Sequence, residues 1–281
     1  MDKLKLSVAM CVYGGDNDEH FSRAVDSILN QTYPPDEVIL VVDGPVPESL
    51  DGIICGYESN KLIKVIRFKE NQGHGNARRA GLAACKNEIV ALMDADDISL
   101  PNRFEEQIQH FAQEKIDIVG GNISEFIGDE SNIVAYRKVP RTDSEIREYM
   151  KKRCPFNQVT VMFKKSVYEK AGEYIDWYCN EDYYLWLRMM KQGAVFANTG
   201  SVLVNVRVGT DMYRRRGGMK YFKSESKLQK YMLENKIIGF TTYFMNVCKR
   251  LIVQVLMPNC IRGWVFKKFA REKLEDGRKE I

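Results

Sequence analysis

The sequence predicts an α/β fold, a mostly parallel sheet flanked by helices and followed by a C-terminal helical appendage. Three observations carry this expectation. Apolar stretches of strand length alternate with amphipathic stretches of helix length from residue 5 to residue 121, the pattern of right-handed βαβ units. The first, second and fourth strand segments run without a polar interruption through their apolar centres, as strands covered on both faces do. The last 45 residues then change character, becoming apolar and basic with breaks at Pro258 and Gly263. A chain of 281 residues is long for one core and short for two full domains, which suits one large domain with an appendage.

Taken in order, KLSVAMCV (5–12) reads as a strand, and EHFSRAVDSILNQ follows as a helix with Phe21, Ala24, Val25, Ile28 and Leu29 on one face. DEVILVVDG is a continuous apolar strand ending in Asp43-Gly44, KLIKVIRF is a third strand and GNARRAGLAAC a helix. EIVALM is a fourth strand, NRFEEQIQHFAQE a helix after Pro101, and IDIVGG a fifth strand. The second half is less regular. QVTVMF reads as a strand, helices are expected near 165–171 and 182–192, then a strand SVLVNVRV and a helix near 219–235.

Hydrophobic content of 44% and charged content of 28% are those of a soluble globular protein. Seven cysteines stand far apart with no CxxC pair, which argues against a disulfide framework or a zinc site and for reduced thiols in a cytosolic setting. The opening MDKLKLSVAMCVYGG has an apolar run too short for a signal peptide and reads as the first strand. The formal charge of +4 is unevenly spread: from Lys236 onward there are ten Lys/Arg and four Asp/Glu, a net of +6, leaving −2 for the other 235 residues. A nucleic-acid-binding body is therefore not expected.

In an open α/β sheet, ligands bind beyond the carboxyl ends of the strands. Three strands end there in polar signatures: Tyr13-Gly14-Gly15, Asp43-Gly44 and Asp94-Ala95-Asp96-Asp97. Asp43-Gly44 alone is ordinary turn chemistry. The aspartate trio is different, because one or two acids serve a turn and a helix cap while a third adds repulsion. Oxygen-only ligands at this spacing suit a hard divalent cation, Mg²⁺ or Mn²⁺, which also takes oxygens from a diphosphate. KENQGHGNARRAG (69–81) is a glycine-rich helix entry that could hold phosphate or simply be a flexible loop, and its spacing is neither a Walker motif nor the dinucleotide fingerprint. Arg78 and Arg79 add guanidinium groups that match phosphate oxygens. CNEDYYLWLRMMKQG (179–193) puts Asn180 at an N-cap and Glu181 and Asp182 in the first helical turn, where acids are stabilised by the helix dipole whether or not they react.

Together SVAMCVY, SILNQTYPPDEVILVVDG, NQGHGNARRAGL, VALMDADDISLPNRF and NEDYYLWLRMMKQG resemble the family 2 glycosyltransferases of the GT-A, nucleotide-diphospho-sugar transferase fold, over about residues 5–210. The strand-end D-x-D-D combined with an E-D-x-x-L-W helix is the specific part of the likeness, and the nearest look is to exopolysaccharide (amylovoran-type) and O-antigen transferases. The resemblance implies transfer of one sugar from a nucleotide-diphospho sugar, with uridine as the favoured base, with inversion, to a glycan or polyprenyl-linked acceptor. It places Tyr13 against the base, Asp43 in a hydrogen bond to it, and Arg78 on the base or diphosphate. Asp94 or Asp96 would hold the ribose and Asp96 or Asp97 the Mn²⁺ or Mg²⁺ ion. Asp182 would be the catalytic base, with Glu181 beside it to orient the acceptor. Such a transfer needs a carboxylate to take the acceptor hydroxyl's proton and a cation to stabilise the departing diphosphate.

Two departures stand out. Val42 and Pro45 replace the first acid and the serine of a V-D-D-G-S pattern, and Val208 to Asp211 lack the histidine that many relatives carry there, the only histidines being 20, 74 and 110. A third metal contact is thus unassigned. The Q-x-x-R-W motif of processive synthases is absent, favouring single-sugar addition, and the YRRRGG stretch (213–218) could grip an acceptor diphosphate or be a solvated turn. The expected organisation is a catalytic domain over 1–215, with a nucleotide-binding half to about 125 and an acceptor half from about 126, then a helical basic-amphipathic segment over 216–281. Lys249, Arg250 and Arg262 interrupt that segment too often for a bilayer span. It suits a helix lying in a membrane interface or a lid packed on the protein, and the interface reading puts the chain in the cytoplasm, on the inner face of the plasma membrane. Two other readings compete: a sugar nucleotidyltransferase, which would want G-x-G-x-R where VYGGDND stands, and a non-catalytic nucleotide- or glycan-binding protein.

Overall fold

The structure is a computed structural model that describes residues 3–257 except 114, 176 and 210–216. Four parallel strands, β1 (Leu6–Val12), β2 (Glu37–Val42), β3 (Ile63–Arg67) and β4 (Ile89–Met93), lie in the order β3-β2-β1-β4. They are joined through α1 (Asp18–Leu29), α2 (Glu48–Glu58) and α3 (His74–Ala84). The chain continues through β5 (Ile98–Ser99), α4 (Arg103–Gln113), β6 (Ile118–Phe126), β7 (Ile133–Arg137), α5 (Asp143–Met150), β8 (Met162–Lys164), α6 (Lys165–Lys170), α7 (Glu181–Lys191) and β9 (Phe196–Arg207). Two helices, α8 (Met219–Glu234) and α9 (Phe240–Leu251), and a π-helical turn at Ile252–Leu256 complete the described residues. The sheet runs on from β4 as β8-β6-β9-β5, with β7 on β6, and β8 is antiparallel to both of its neighbours.

The uninterrupted apolar strands divide their side chains between two cores. Leu6, Val8, Met10 and Val12 of β1 point to one face with Val38, Leu40 and Val42 of β2, under Phe21 and Ile28 of α1, Ile54 of α2 and Phe104 of α4. Ala9, Ile39, Val41, Val90 and Leu92 point to the other, under Leu82 of α3, Trp186 of α7, Met150 of α5 and Leu228 and Met232 of α8. The period of two along a strand does this sorting. Because α8 shares that second core, the C-terminal helices are packed on the body of the protein.

The structure departs from the sequence reading in a few elements. Only the end of QVTVMF is strand: Gln158–Thr160 forms a 3₁₀ turn, because the Thr160 hydroxyl donates to the Asn157 carbonyl (2.7 Å) and the Asn157 amide donates to Gly121 O (2.8 Å), giving the backbone a local alternative to a ladder. β6 extends past Gly120-Gly121 to Phe126, accommodating them by register shifts against β9. Helices α2 and α5 and strands β5 and β7 are additions, α5 carrying a capping box between Thr142 and Glu145.

Candidate active site

The strand register brings the polar strand ends to one edge. Val12 pairs with Val42, so Tyr13 and Asp43 leave the sheet side by side, and Met10 pairs with Met93, placing Asp94 level with Cys11. Asp43 is 4% exposed, and its two carboxylate oxygens accept the backbone N–H groups of Gln72 (2.7 Å) and Gly73 (3.0 Å). It therefore ties the glycine-rich loop to β2. Gly44 (φ +89°) makes the turn possible, since a Cβ there would lie 2.6 Å from the Asn71 nitrogen. The exposed Tyr13 donates its backbone N–H to Asp16 (2.9 Å). Burial pushes Asp16 up to about 6, against that hydrogen bond, with Asp96 and Asp94 adding to the rise.

The aspartates after β4 occupy different environments. Asp96 is exposed, whereas Asp97 is 4% exposed and accepts the backbone N–H of Arg207 at the end of β9 (2.8 Å). Burial, then Asp96 and Asp94, raise Asp97 well above the usual carboxylate range. Beneath them lies Arg103, wholly buried, which donates to the Leu92 carbonyl (2.8 Å) and contacts Met93 Sδ (3.4 Å). Burial lowers its guanidinium to about 9, opposed by Asp94 and Asp97. A fixed cation thus offsets part of the repulsion in the trio.

Arg78 joins the two acidic motifs. One nitrogen donates to Asp94 (3.0 Å) and the other to Asp182 (3.1 Å), with Glu181 at 3.9 Å from the latter. Burial opposes its charge, but Asp182, Asp94 and Glu181 together hold the guanidinium protonated. Tyr174, 2% exposed, donates its hydroxyl to the same Asp182 oxygen (2.8 Å), and Arg78 lies over its ring at 5.9 Å. Burial raises Asp182, while Arg78 and the Tyr174 hydroxyl pull it back. Burial and then Asp182 push Glu181 up to about 7. The Asp182 anion is held by the Arg78 guanidinium and the Tyr174 hydroxyl, which keep it available as an acceptor. His74, at 4.0 Å from Asp94, is held down to about 4, first by Arg78 and then by burial, and is neutral.

Asn180 stands at the cap position of α7 but makes no capping bond: its amide donates to Ser224 of α8 (3.1 Å), so it ties the helix start to the C-terminal helices. This corrects the capping expectation, the backbone at Asn180 (φ −133°, ψ 16°) lying outside the extended region that side-chain caps use. A cleft of about 570 Å³ opens in front of these groups, lined by Arg78, Asp94, Asp97, Glu181 and Asp182. Its lining also includes Lys152, Arg153, Glu225, Lys249 and Arg250.

The structure thus brings together Arg78, Asp94, Asp97, Glu181 and Asp182, with Asp96 beside them, and sets Tyr13 and Asp43 at the neighbouring strand ends. Asp16, Arg103 and Tyr174 were not singled out in the sequence. Residues 210–216, which include most of YRRRGG and two of the positions where a histidine was sought, and the tail from 258 lie outside the described residues. Among the described residues no group of three or more His, Cys, Asp or Glu side chains is arranged to hold a metal by itself.

A family model, "Glycosyl transferase family 2", matches residues 7–171. The chain is 35% identical to the Escherichia coli UDP-Gal:alpha-D-GlcNAc-diphosphoundecaprenol beta-1,3-galactosyltransferase, over 97% of this chain and 99% of that one. It is 36% identical to the amylovoran biosynthesis glycosyltransferase AmsE of Erwinia amylovora, over 85% and 91%. Among solved structures, S. aureus TarS 1–349 in complex with UDP-GlcNAc superposes with a TM-score of 0.65 at 15% identity, covering 97% of this chain and 77% of that chain. The Pyrobaculum calidifontis mannosyltransferase PcManGT, in complex with GDP-Man and Mn²⁺, gives 0.61 at 13%, covering 95% and 75%. These two likenesses speak for the fold, which is that of the GT-A glycosyltransferases. The chain belongs to glycosyltransferase family 2.

Proposed function

We propose that the protein transfers a single sugar from a nucleotide-diphospho sugar, a UDP-sugar, to a lipid-linked glycan acceptor with inversion, building a bacterial cell-surface polysaccharide. The observation that carries this reading is the Arg78 bridge, which fixes the base candidate Asp182 against the strand-end aspartates. In this reading Tyr13 lies against the base, Asp43 shapes the loop beneath it and accepts from it, and Asp94 or Asp96 takes the ribose. Asp182 accepts the proton of the attacking hydroxyl, and Glu181, whose carboxyl burial and Asp182 raise, orients the acceptor. Burial is the first cause of the raised Asp16 and Asp97 carboxyls, and Asp96 and Asp94 add to it, a cluster of acids that a divalent cation fits. Asp96 and Asp97 would hold Mn²⁺ or Mg²⁺, with the donor's diphosphate completing the ligands, and the ion supplies charge stabilisation to the leaving diphosphate. Among the described residues no helix is long and apolar enough to cross a membrane. Contact with the inner face of the plasma membrane through the C-terminal segment is part of the same proposal, since Phe240, Phe244 and Ile252 of that segment are more than half exposed. Calorimetry with uridine diphosphate tests the donor site. Binding should require Mn²⁺ and weaken strongly in Asp96→Asn; equal affinity in EDTA would remove the metal from the account.

A further inference from the structure

Lys152, Lys249 and Arg250 belong to two concavities at once. They line the catalytic cleft, and they also line an outer groove of about 320 Å³ together with Thr241, Met245 and Asn246 of α9. Arg250 is the structural member. It ion-pairs with the buried Glu225, and it donates to the Lys152 carbonyl (3.0 Å), while Asn246 donates to the Lys151 carbonyl (3.0 Å). These bonds clamp the 151–152 backbone to α9, leaving the exposed Lys152 and Lys249 at the rim. Beyond the rim, α9 turns Phe240, Phe244 and Met245 to solvent at 70%, 56% and 48% exposure, and Ile252 of the following turn at 52%. At about 100° per residue these four fall on one side of the helix, with Lys249 at the edge of their arc. Along one line the surface therefore offers a carboxylate base, then cations, then an apolar face.

We infer that the acceptor lies along this line. Its sugar sits in the cleft against Asp182, its diphosphate on Lys152, Lys249 and the nearby Arg153, and its hydrocarbon chain on the apolar face of α9. The inference rests on the glycosyltransferase reading and adds the acceptor's binding site. A sugar–diphosphate–lipid has that order of chemistry, and ammonium and guanidinium groups are the side chains that take phosphate oxygens. A free diphosphate would use the cations alone, and a membrane surface, which uses cations and an apolar face, would have no use for the cleft that joins those cations to Asp182.

The test uses the full-length protein saturated with uridine diphosphate and Mn²⁺, so that the donor site is filled, and titrates it with farnesyl diphosphate, inorganic pyrophosphate or farnesol. Farnesyl diphosphate should bind more tightly than either of the others. The double variant Lys152→Gln/Lys249→Gln should weaken it about tenfold or more, the scale of losing charge-assisted hydrogen bonds, with an unchanged melting temperature because both side chains are exposed. Lys152→Arg/Lys249→Arg should restore binding, and Phe244→Ser should weaken farnesyl diphosphate but not pyrophosphate. Wild-type affinity in the double glutamine variant would overturn the inference. So would loss of farnesyl diphosphate binding in the wild type once uridine diphosphate is bound, since the lipid would then have been occupying the donor site. Failure of uridine diphosphate to bind at all appears before any lipid is added, and would overturn the donor reading and this inference with it.

Discussion

Arg78 is one buried cation facing three carboxylates, Asp94, Glu181 and Asp182, and burial, then Asp182, makes Glu181 hard to ionise in the ordinary range. Its carboxyl rises from an ordinary 4.5 to about 7 in the folded protein, and Asp16 rises from 3.8 to about 6. In that range the folded state holds protons that the unfolded chain has released. Stability contributed by these groups is therefore present at low pH and is lost as pH rises through their folded values. Glu181→Gln removes one such proton, so melting temperature measured from about pH 4.5 to 7 should fall less steeply in the variant than in the wild type. An unchanged slope would mean that Glu181 ionises normally. The aspartates and the Glu181-Asp182 pair were legible because their residues are neighbours in sequence. Arg103 and Tyr174 were not, because a buried arginine on an amphipathic helix and a tyrosine in a loop carry no local mark of what lies opposite them. Asp16 could have been suspected, as a further carboxylate just past the end of β1.

The elements that position the site obey short-range rules, and those rules decided what could be read from the chain. β1, β2 and β4 were readable because burial on both faces leaves a continuous apolar run. The Thr142-x-x-Glu145 capping box at the start of α5 is a readable signal, whereas α2, with two fully buried side chains, Leu50 and Ile54, has little apolar periodicity to find. At this scale Gly44 is the sensitive point. Gly44→Ala forces a Cβ toward the Asn71 nitrogen at 2.6 Å in a backbone with φ +89°. The strain, about 1–3 kcal/mol, should pull the 71–73 loop off Asp43. A lower melting temperature and weaker uridine diphosphate binding are expected, measured by calorimetry; intact nucleotide affinity would detach that loop from the donor site.

Across the whole molecule, the two cores on either face of the sheet and the C-terminal helices form the two sides of one cleft. In the proposed reading the nucleotide side draws on the strand ends and on Arg78 of α3, while the acceptor side borrows α9. Removal of residues 237–281 takes away Arg250, the partner of the buried Glu225, and Ile238 from the core. Uridine diphosphate binding should survive this truncation at reduced thermal stability, while sedimentation with anionic vesicles should be lost. Undiminished vesicle binding would place membrane contact elsewhere on the chain. That the C-terminal segment packs on the body was not readable from its composition, since Leu228 and Met232 find their partners in residues far away in sequence.

Asp182 is the residue on which the whole account turns, and transfer by the purified enzyme tests it most directly. Sugar transfer from uridine-diphospho sugars to a lipid-diphosphate acceptor, with product configuration read by NMR, should proceed with inversion in the wild type. Asp182→Asn should lower turnover by roughly 10²–10⁴-fold, the range for loss of a general base, with uridine diphosphate affinity retained. Near wild-type transfer by Asp182→Asn would contradict the mechanism.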